Sequence, residues 1–324
     1  MQYTEVGRTG IRVSRLCFGT MSFGGDADEA MSAKLFKRCR DAGITFFDCA
    51  NVYSHGRAEE ILGKLMKGSR DELVITTKVF GKMGDGPEDS GLSRPAIVKA
   101  IDDSLRRLGT DHVDFYFCHM FDPAVPMEET LRAIDDLVRE GKVRHPAISN
   151  WAAWRIEKAL GVCALRKYAR VALLQPMYSL VKRQAETEIL PMALDEGLGV
   201  IPYSPLAGGL LSGKYAGGTK PAAGRFNTNA MYEKRYGEAW VHDTAARFAE
   251  HARGAGHHPV ALANAWVMSH PAVTAPIIGA RNLDQLEPAL GAVDIPMTET
   301  LRREISALSR EPAVATDRTE ERTN

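Results

Sequence analysis

Eight times along this chain a short apolar run is followed by a stretch of helical periodicity, and no other feature limits the fold so sharply. The runs lie at residues 16–18, 46–47, 73–76, 113–118, 143–148, 171–174, 200–201 and 276–278. The periodic stretches that follow them lie at 28–41, 58–66, 94–108, 127–140, 151–165, 185–196, 232–251 and 283–290. That many strand-then-helix units suit a closed (β/α)8 barrel, an α/β architecture of about 250 residues. An open doubly wound sheet competes, but it calls for a G-x-G-x-x-G turn after the first strand. Residues 18–25 read Phe-Gly-Thr-Met-Ser-Phe-Gly-Gly instead. Ser93 before Arg94-Pro95 reads as a helix N-cap, and Gly43, Gly63, Gly109, Gly141 and Gly197 read as helix ends. Residues 3–6 and 11–13 read as a β-hairpin that covers the barrel's N-terminal end, and 297–308 as an extra C-terminal helix. One barrel domain over residues 1–310 is expected, followed by a polar, flexible tail at 311–324.

Composition narrows the function. Lys and Arg number 41, as do Asp and Glu, so the net charge is zero and a surface for nucleic acid or anionic membrane is not expected. No apolar run approaches the roughly 20 residues of a membrane helix, and the opening five residues are polar rather than leader-like. The cysteines at 17, 39, 49, 118 and 163 form no C-x-x-C pair. Reduced core thiols in a cytoplasmic protein without metal are the expectation.

The chemistry sits at the strand ends. Phe46-Phe47 runs into Asp48 with Tyr53 close behind; 73–76 leads to Lys78; 113–118 ends at His119; 143–148 ends at Ser149 and Asn150. In successive parallel strands these side chains emerge on one face. A tyrosine has an ordinary pKa of about 10, and lowering it to about 7–8 takes about 3–4 kcal/mol, which a nearby ammonium can supply. Lys78 is that ammonium, Asp48 its partner, and His119 the group that orients a carbonyl oxygen. None of these side chains carries a hydride, so a redox coenzyme is implied.

The second half of the chain offers the groups to hold one. Ser149, Asn150 and Gln175 suit a carboxamide, Tyr203 a flat ring, and residues 206–209 with Lys214 and Arg225 a pyrophosphate. Gly279, Ala280, Arg281 and Asn282 lead into a helix, a natural phosphate position. Two long glycine-rich loops, 81–91 and 206–229, are read as lids or substrate walls, as are 121–126 and the surroundings of Met231. Taken singly each residue has a structural explanation: an ion pair for Asp48 and Lys78, a satisfied core imidazole for His119, packing for Tyr203, a helix cap for Gln175. Their joint occurrence in strand order favours catalysis.

The same stretches resemble the aldo-keto reductase superfamily, in its bacterial and potassium-channel β-subunit-like branch. Residues 43–53 (Gly-Ile-Thr-Phe-Phe-Asp-Cys-Ala-Asn-Val-Tyr) with Glu60-Ile61-Leu62-Gly63 resemble the first signature, and Ile75-Thr76-Thr77-Lys78 the lysine strand. The histidine strand 114–119, Gly141-Lys142-Val143-Arg144 and Tyr203-Ser204-Pro205-Leu206 through Tyr215 complete it, so that coverage runs from residue 3 to 290. The resemblance implies a TIM barrel that reduces a small-molecule aldehyde or ketone with NADPH, NADH being the alternative, and without metal. Carried over, Tyr53 is the general acid, Asp48 and Lys78 tune it, and His119 orients the substrate. Ser149, Asn150 and Gln175 match the carboxamide contacts and Tyr203 the stacking residue. Ser204, Pro205, Leu206, Ala207, Gly208, Gly209, Ser212, Lys214 and Arg225 match the coenzyme belt. Gly279, Arg281, Gln285 and Ala289 match the adenosine end, and Gly19, Thr20 and Met21 the turn after the first strand.

Three positions depart from the family pattern. His145-Pro146-Ala147 replaces a tyrosine-isoleucine-glycine, Pro288-Ala289 replaces an adenine-gripping Glu-Asn pair, and Met21 stands where an aromatic residue is usual. A coenzyme-binding regulatory subunit of a channel is the alternative function, and a metal-dependent barrel hydrolase finds no ligand cluster.

Overall fold

The computed structural model describes residues 1–215, 230–316 and 318. Strands β1 (Tyr3–Glu5) and β2 (Arg12–Ser14) form an antiparallel hairpin. Eight parallel strands follow: β3 (Cys17–Gly19), β4 (Phe46–Asp48), β5 (Val74–Val79), β6 (Val113–Cys118), β7 (Val143–Ser149), β8 (Leu173–Gln175), β9 (Gly199–Val200) and β10 (Ile277–Ile278). They lie in sequence order, with β10 beside β3. The N–H groups of Thr274 and Ile277 donate to the carbonyls of Val200 and Pro202, both at 2.9 Å, and close the sheet into the (β/α)8 barrel.

The two-residue period of a strand sorts the apolar residues into two cores. Cys17, Phe46, Phe115, Phe117, Ala147, Leu173 and Ile201 point inward and pack together, with Val6 and Val13 of the hairpin joining from below. Their neighbours Phe18, Phe47, Ile75, Tyr116, Cys118, Ile148, Leu174 and Val200 point outward, under the helices. The hairpin therefore plugs the N-terminal mouth, as expected. One inward step beyond the apolar plug stand Asp48, Lys78, Ser149 and Gln175, each two residues after an inward position. Strand register carries the polar side chains to one end; no loop has to deliver them.

The outer layer comprises α1 (Glu29–Asp41), α2 (Arg57–Leu65), α3 (Arg94–Leu108), α4 (Met127–Arg139), α5 (Ala153–Arg166) and α6 (Ile189–Asp195). It continues with α7 (Ala230–Tyr236), α8 (Ala239–Gly254), α9 (Pro259–Met268), α10 (Leu283–Leu290) and α11 (Glu299–Ala307). Ser93 caps α3, accepting from the Ala96 N–H at 3.4 Å, and Gly109 ends that helix with φ 63°. All five cysteines are free and buried. Among the described residues no helix is long and apolar enough to cross a membrane.

Four expectations are corrected. The helix read at 232–251 is two helices, α7 and α8, separated at Gly237-Glu238, and α9 was not anticipated. The stretch at 185–196 is a 3-10 turn (Gln184–Glu186) followed by the short α6. Gly63 does not end a helix but sits inside α2, where it touches the end of α3: a Cβ there would lie 2.5 Å from the Leu108 carbonyl oxygen. The 81–91 loop does not form a wall of the cavity. It folds onto α3, with Asp89 accepting from the Gly86 N–H at 2.8 Å and pairing with Lys99 at 3.0 Å.

Pro146 is accommodated inside β7 because its carbonyl accepts from the Ala172 N–H at 3.0 Å, and its missing donor would face chain that precedes β8. At the other end, α11 is fastened by Arg302, which donates to the Trp266 carbonyl at 2.6 Å. Part of the segment read as a loose tail packs back, the Thr187 hydroxyl donating to the Ala313 carbonyl at 3.0 Å.

Gly63→Ala is expected to cost about 1–3 kcal/mol, because the obstacle is backbone and not a side chain that can rotate away. A lowered urea midpoint with an unchanged slope is the measurement; a midpoint equal to wild type would refute the contact.

Candidate active site

Asp48 and Lys78 form the buried centre. Lys78 is 0% exposed and Asp48 2%. The ammonium donates to both carboxylate oxygens at 2.7 Å, to the Cys49 carbonyl at 2.6 Å and to the Tyr53 hydroxyl at 3.3 Å. Asp48 also accepts from the Thr76 hydroxyl at 2.7 Å and from Gln175 Nε2 at 2.8 Å. Three donors thus converge on Oδ1 and the ammonium alone on Oδ2, all of them from β5 and β8.

Tyr53 follows β4 in a tight turn, Tyr53–Gly56, whose next residues Ser54, His55 and Gly56 have φ of 47°, 50° and 88°. Left-handed backbone at Ser54 and His55 is costly, and the surroundings must hold it. The Ser54 hydroxyl donating to the Phe23 carbonyl at 2.9 Å is one such tie. The His119 ring meets the Tyr53 ring edge-on, with centroids 6.2 Å apart.

Electrostatics differ from the sequence expectation in one respect. Burial pushes the Tyr53 phenol up to about 12, against the pull of Lys78, and the charge of Asp48 adds to the rise. The expected fall to about 7–8 neglected both desolvation and the carboxylate that offsets the ammonium. Tyr53 therefore keeps its proton throughout the neutral range. Burial works to lower the Lys78 pKa, but Asp48 and Tyr53 outweigh it and the net shift is upward. Burial, then Lys78, lowers His119 to about 4, so its imidazole is neutral.

Above this group opens a cavity of about 490 Å³, within the range of small-molecule and cofactor sites. Gly19, Met21, Asp48, Tyr53, His119, Ser149, Asn150, Gln175 and Tyr203 line it near the barrel mouth. Ser204, Pro205, Leu206, Gly208, Gly209, Ser212, Lys214, Gly279, Arg281, Gln285 and Ala289 extend its wall. Three predicted residues are not on the wall. Lys78 is covered beneath Tyr53; Thr20 is fully buried and donates to the Asp48 carbonyl at 3.0 Å; Ala207 is fully buried with φ 50°. Arg225, like the 216–229 part of its loop, lies outside the described residues. The 81–91 and 121–126 loops do not reach the wall, whereas Met231 does.

Backbone strain gathers here as well: Asn150 and Ser204 both have φ 59°. Their side of the wall is tied to the reacting end. The Tyr203 hydroxyl donates to Asn150 Oδ1 at 2.7 Å, and Asn150 Nδ2 donates to the His119 carbonyl at 3.0 Å. Sequence reasoning missed Ser22, Tyr232, Arg235, His258 and Asp284 on this wall. His258-Pro259 was a readable helix start, and His258 does cap α9, its Nδ1 accepting from the Val260 N–H at 3.1 Å.

Lys78→Met is expected to destabilise the fold by about 3–5 kcal/mol, since it strands a buried carboxylate, and the double variant with Asp48→Asn should recover part of that loss. Urea denaturation of the two variants measures it; equal losses would show that the pair is not coupled. Protonation supplies a second check. Burial holds His119 at about 4, below the ordinary histidine value of about 6.5, so between those values the unfolded chain binds a proton that the folded one refuses. The stability due to His119 is complete above pH 6.5 and is lost as pH falls towards 4; NMR titration of the ring should show no protonation at pH 5.5.

Comparison with known proteins agrees with this geometry. A family model described as the aldo/keto reductase family matches residues 15–310. An uncharacterized oxidoreductase of Bacillus subtilis (strain 168) is 40% identical over 315 residues, covering 94% of both chains. A probable voltage-gated potassium channel subunit beta of Oryza sativa subsp. japonica is 39% identical over 309 residues, covering 91% of this chain and 92% of its own. An L-glyceraldehyde 3-phosphate reductase of Escherichia coli (strain K12) is 33% identical over 308 residues, covering 91% and 88%. With eight strands in one barrel, a buried Asp–Lys–Tyr group at its mouth and a match over nearly the whole length, the chain belongs to the aldo/keto reductase family.

Proposed function

We propose that this oxidoreductase reduces an aldehyde or ketone to an alcohol, with NADPH as its coenzyme and Tyr53 as the proton donor. The observation that carries the reading is the Tyr53 hydroxyl, 3.3 Å from a buried ammonium and open to the cavity. The proton stays on Tyr53 at neutral pH and is available to a carbonyl oxygen that becomes strongly basic as it is reduced. Lys78 then stands ready to stabilise the phenolate, and Asp48 keeps Lys78 charged. The neutral His119 ring faces the same space and holds the carbonyl oxygen by a hydrogen bond.

The wall suits a nicotinamide dinucleotide. Left-handed glycines Gly208 and Gly209 leave room for close approach, the Lys214 amine lies near Gly209, and Arg281 precedes α10. Asn150, Gln175 and Ser149 supply amide and hydroxyl groups beside Tyr203, a planar surface. When bound, the coenzyme supplies hydride to the carbonyl carbon. Arg281 lies 3.7 Å from Asp26 and is the group we assign to the 2′-phosphate that favours NADPH over NADH. Pro288 and Ala289 line the adenosine end without the usual polar grip.

A coenzyme-binding channel subunit is the second reading, favoured by the named relative from Oryza sativa. Turnover separates the two. Loss of 340 nm absorbance with a panel of aldehydes is expected, and Tyr53→Phe should lower kcat by about 10²–10⁴-fold while leaving NADPH affinity intact. Coenzyme binding without turnover of any carbonyl would favour the subunit reading. For the coenzyme, Arg281→Ala should weaken NADPH at least about 10-fold and leave NADH nearly unchanged, read by fluorescence titration; equal weakening of both would remove Arg281 from the 2′-phosphate.

A further inference from the structure

Among the described residues, the cavity wall carries an arginine that no acid neutralises. Arg235, on α7, is half-buried and lines the cavity. Its Nη2 donates to the Met231 sulfur at 3.4 Å, and its guanidinium carbon stands 6.0 Å from the centre of the Tyr232 ring. No described carboxylate lies within ion-pair distance of it, and residues 216–229 contain no Asp or Glu. Elsewhere arginines meet acids, as Arg38 does with Glu287, Arg57 with Glu29 and Arg183 with Glu186. Arg281, the other arginine of the wall, faces Asp26.

Position distinguishes Arg235 further. Its charge acts on the phenol of Tyr203, opposing the rise that burial causes there. Tyr203 is bonded to Asn150, Asn150 to the carbonyl of His119, and the His119 ring faces Tyr53. The guanidinium thus stands on the Tyr203 side of the cavity, which Asn150 ties to the His119 end. Met21 and Met231, each 46% exposed, give this end an apolar, adaptable surface for a short carbon chain.

We propose that Arg235 receives a carboxylate or phosphate on the carbonyl substrate, so that the enzyme selects acidic aldehydes or oxo acids over neutral ones. The proposal rests on the carbonyl-reductase reading above and names its substrate class. A planar guanidinium fork suits either anion, and a half-buried site leaves less water to compete for it.

Two matched pairs test it: succinic semialdehyde against butanal for a carboxylate, and glycolaldehyde phosphate against glycolaldehyde for a phosphate. In the wild type the anionic member of at least one pair should have the higher kcat/KM, and the pair that shows it identifies the anion. In Arg235→Gln the anionic-to-neutral ratio should fall by about 10–100-fold, and Arg235→Lys should restore part of it. A ratio unmoved by R235Q overturns the proposal, as does a wild type that prefers neutral aldehydes in both pairs. An NADPH Kd that rises by the same factor in R235Q also overturns it, because Arg235 would then serve the coenzyme.

A binding measurement keeps the two readings apart. Calorimetric titration of the coenzyme-loaded protein with succinate and with inorganic phosphate should give heat for at least one anion, lost in R235Q. If that heat is present while no carbonyl is reduced, the anion site stands and the carbonyl-reductase reading falls. If neither anion binds, the Arg235 proposal falls whatever the turnover.

Discussion

The buried pair of Asp48 and Lys78 is the interaction on which the rest depends. Two opposite charges lie out of water at the top of an apolar plug, where either one alone would cost several kcal/mol. The pair is tolerable because both charges are hydrogen-bonded: Thr76 and Gln175 support the carboxylate, and the Cys49 carbonyl and the Tyr53 hydroxyl share the third ammonium proton. Those partners come from β5, β8 and the chain just after β4, so a slip of any one strand would expose a charge without its counterpart. Register and electrostatics thus enforce one another. Tyr53 is the beneficiary, because the ammonium that Asp48 holds in place is also in contact with the phenol.

A protein that locks one end of its barrel so firmly still needs an opening. The backbone around the cavity makes room by adopting conformations that most residues avoid, at Ser54 and His55 on one side and at Asn150, Ser204 and Ala207 on the other. Each costs of order 1–3 kcal/mol and persists only where neighbours over-determine it. The ties are visible: Ser54 to Phe23, and Asn150 to both His119 and Tyr203. Apart from Lys167 at the end of α5, this strain gathers at the rim.

How much of this could be read from the residues alone follows from the same physics. The strands were legible because inward and outward positions alternate, and the polar groups at their ends because they break that alternation at matching heights. Helices with one wet face were legible through their periodicity. The helix α9 showed only its start, His258-Pro259, since all ten of its residues are buried and no polar stripe marks it. Gly63 misled for a related reason: a glycine near the end of a periodic stretch suggests a cap, whereas here it marks a close approach between α2 and α3 that only the packed fold reveals. The acidity of Tyr53 was misjudged because a sequence shows which charges are near but not how dry the site is. Arg235 escaped notice because an arginine in a helix rich in charged residues looks like any solvated one until its surroundings are known.

The balance of charge at the reacting end gives that arginine its meaning. Asp48 and Lys78 cancel, Tyr53 holds its proton, and His119 is neutral, so the group to which we assign the chemistry presents almost no net charge to the cavity. A neutral reacting group neither attracts nor repels a charged substrate, and selection by charge must come from elsewhere on the wall. The guanidinium of Arg235 is a source of field on that wall, and it stands on a helix apart from the strands that hold Asp48 and Lys78. On the proposals made above, proton transfer and substrate choice are carried by different elements of the fold. The barrel sets the first through strand register, and the helix after the glycine-rich segment sets the second, so either can change without disturbing the buried pair.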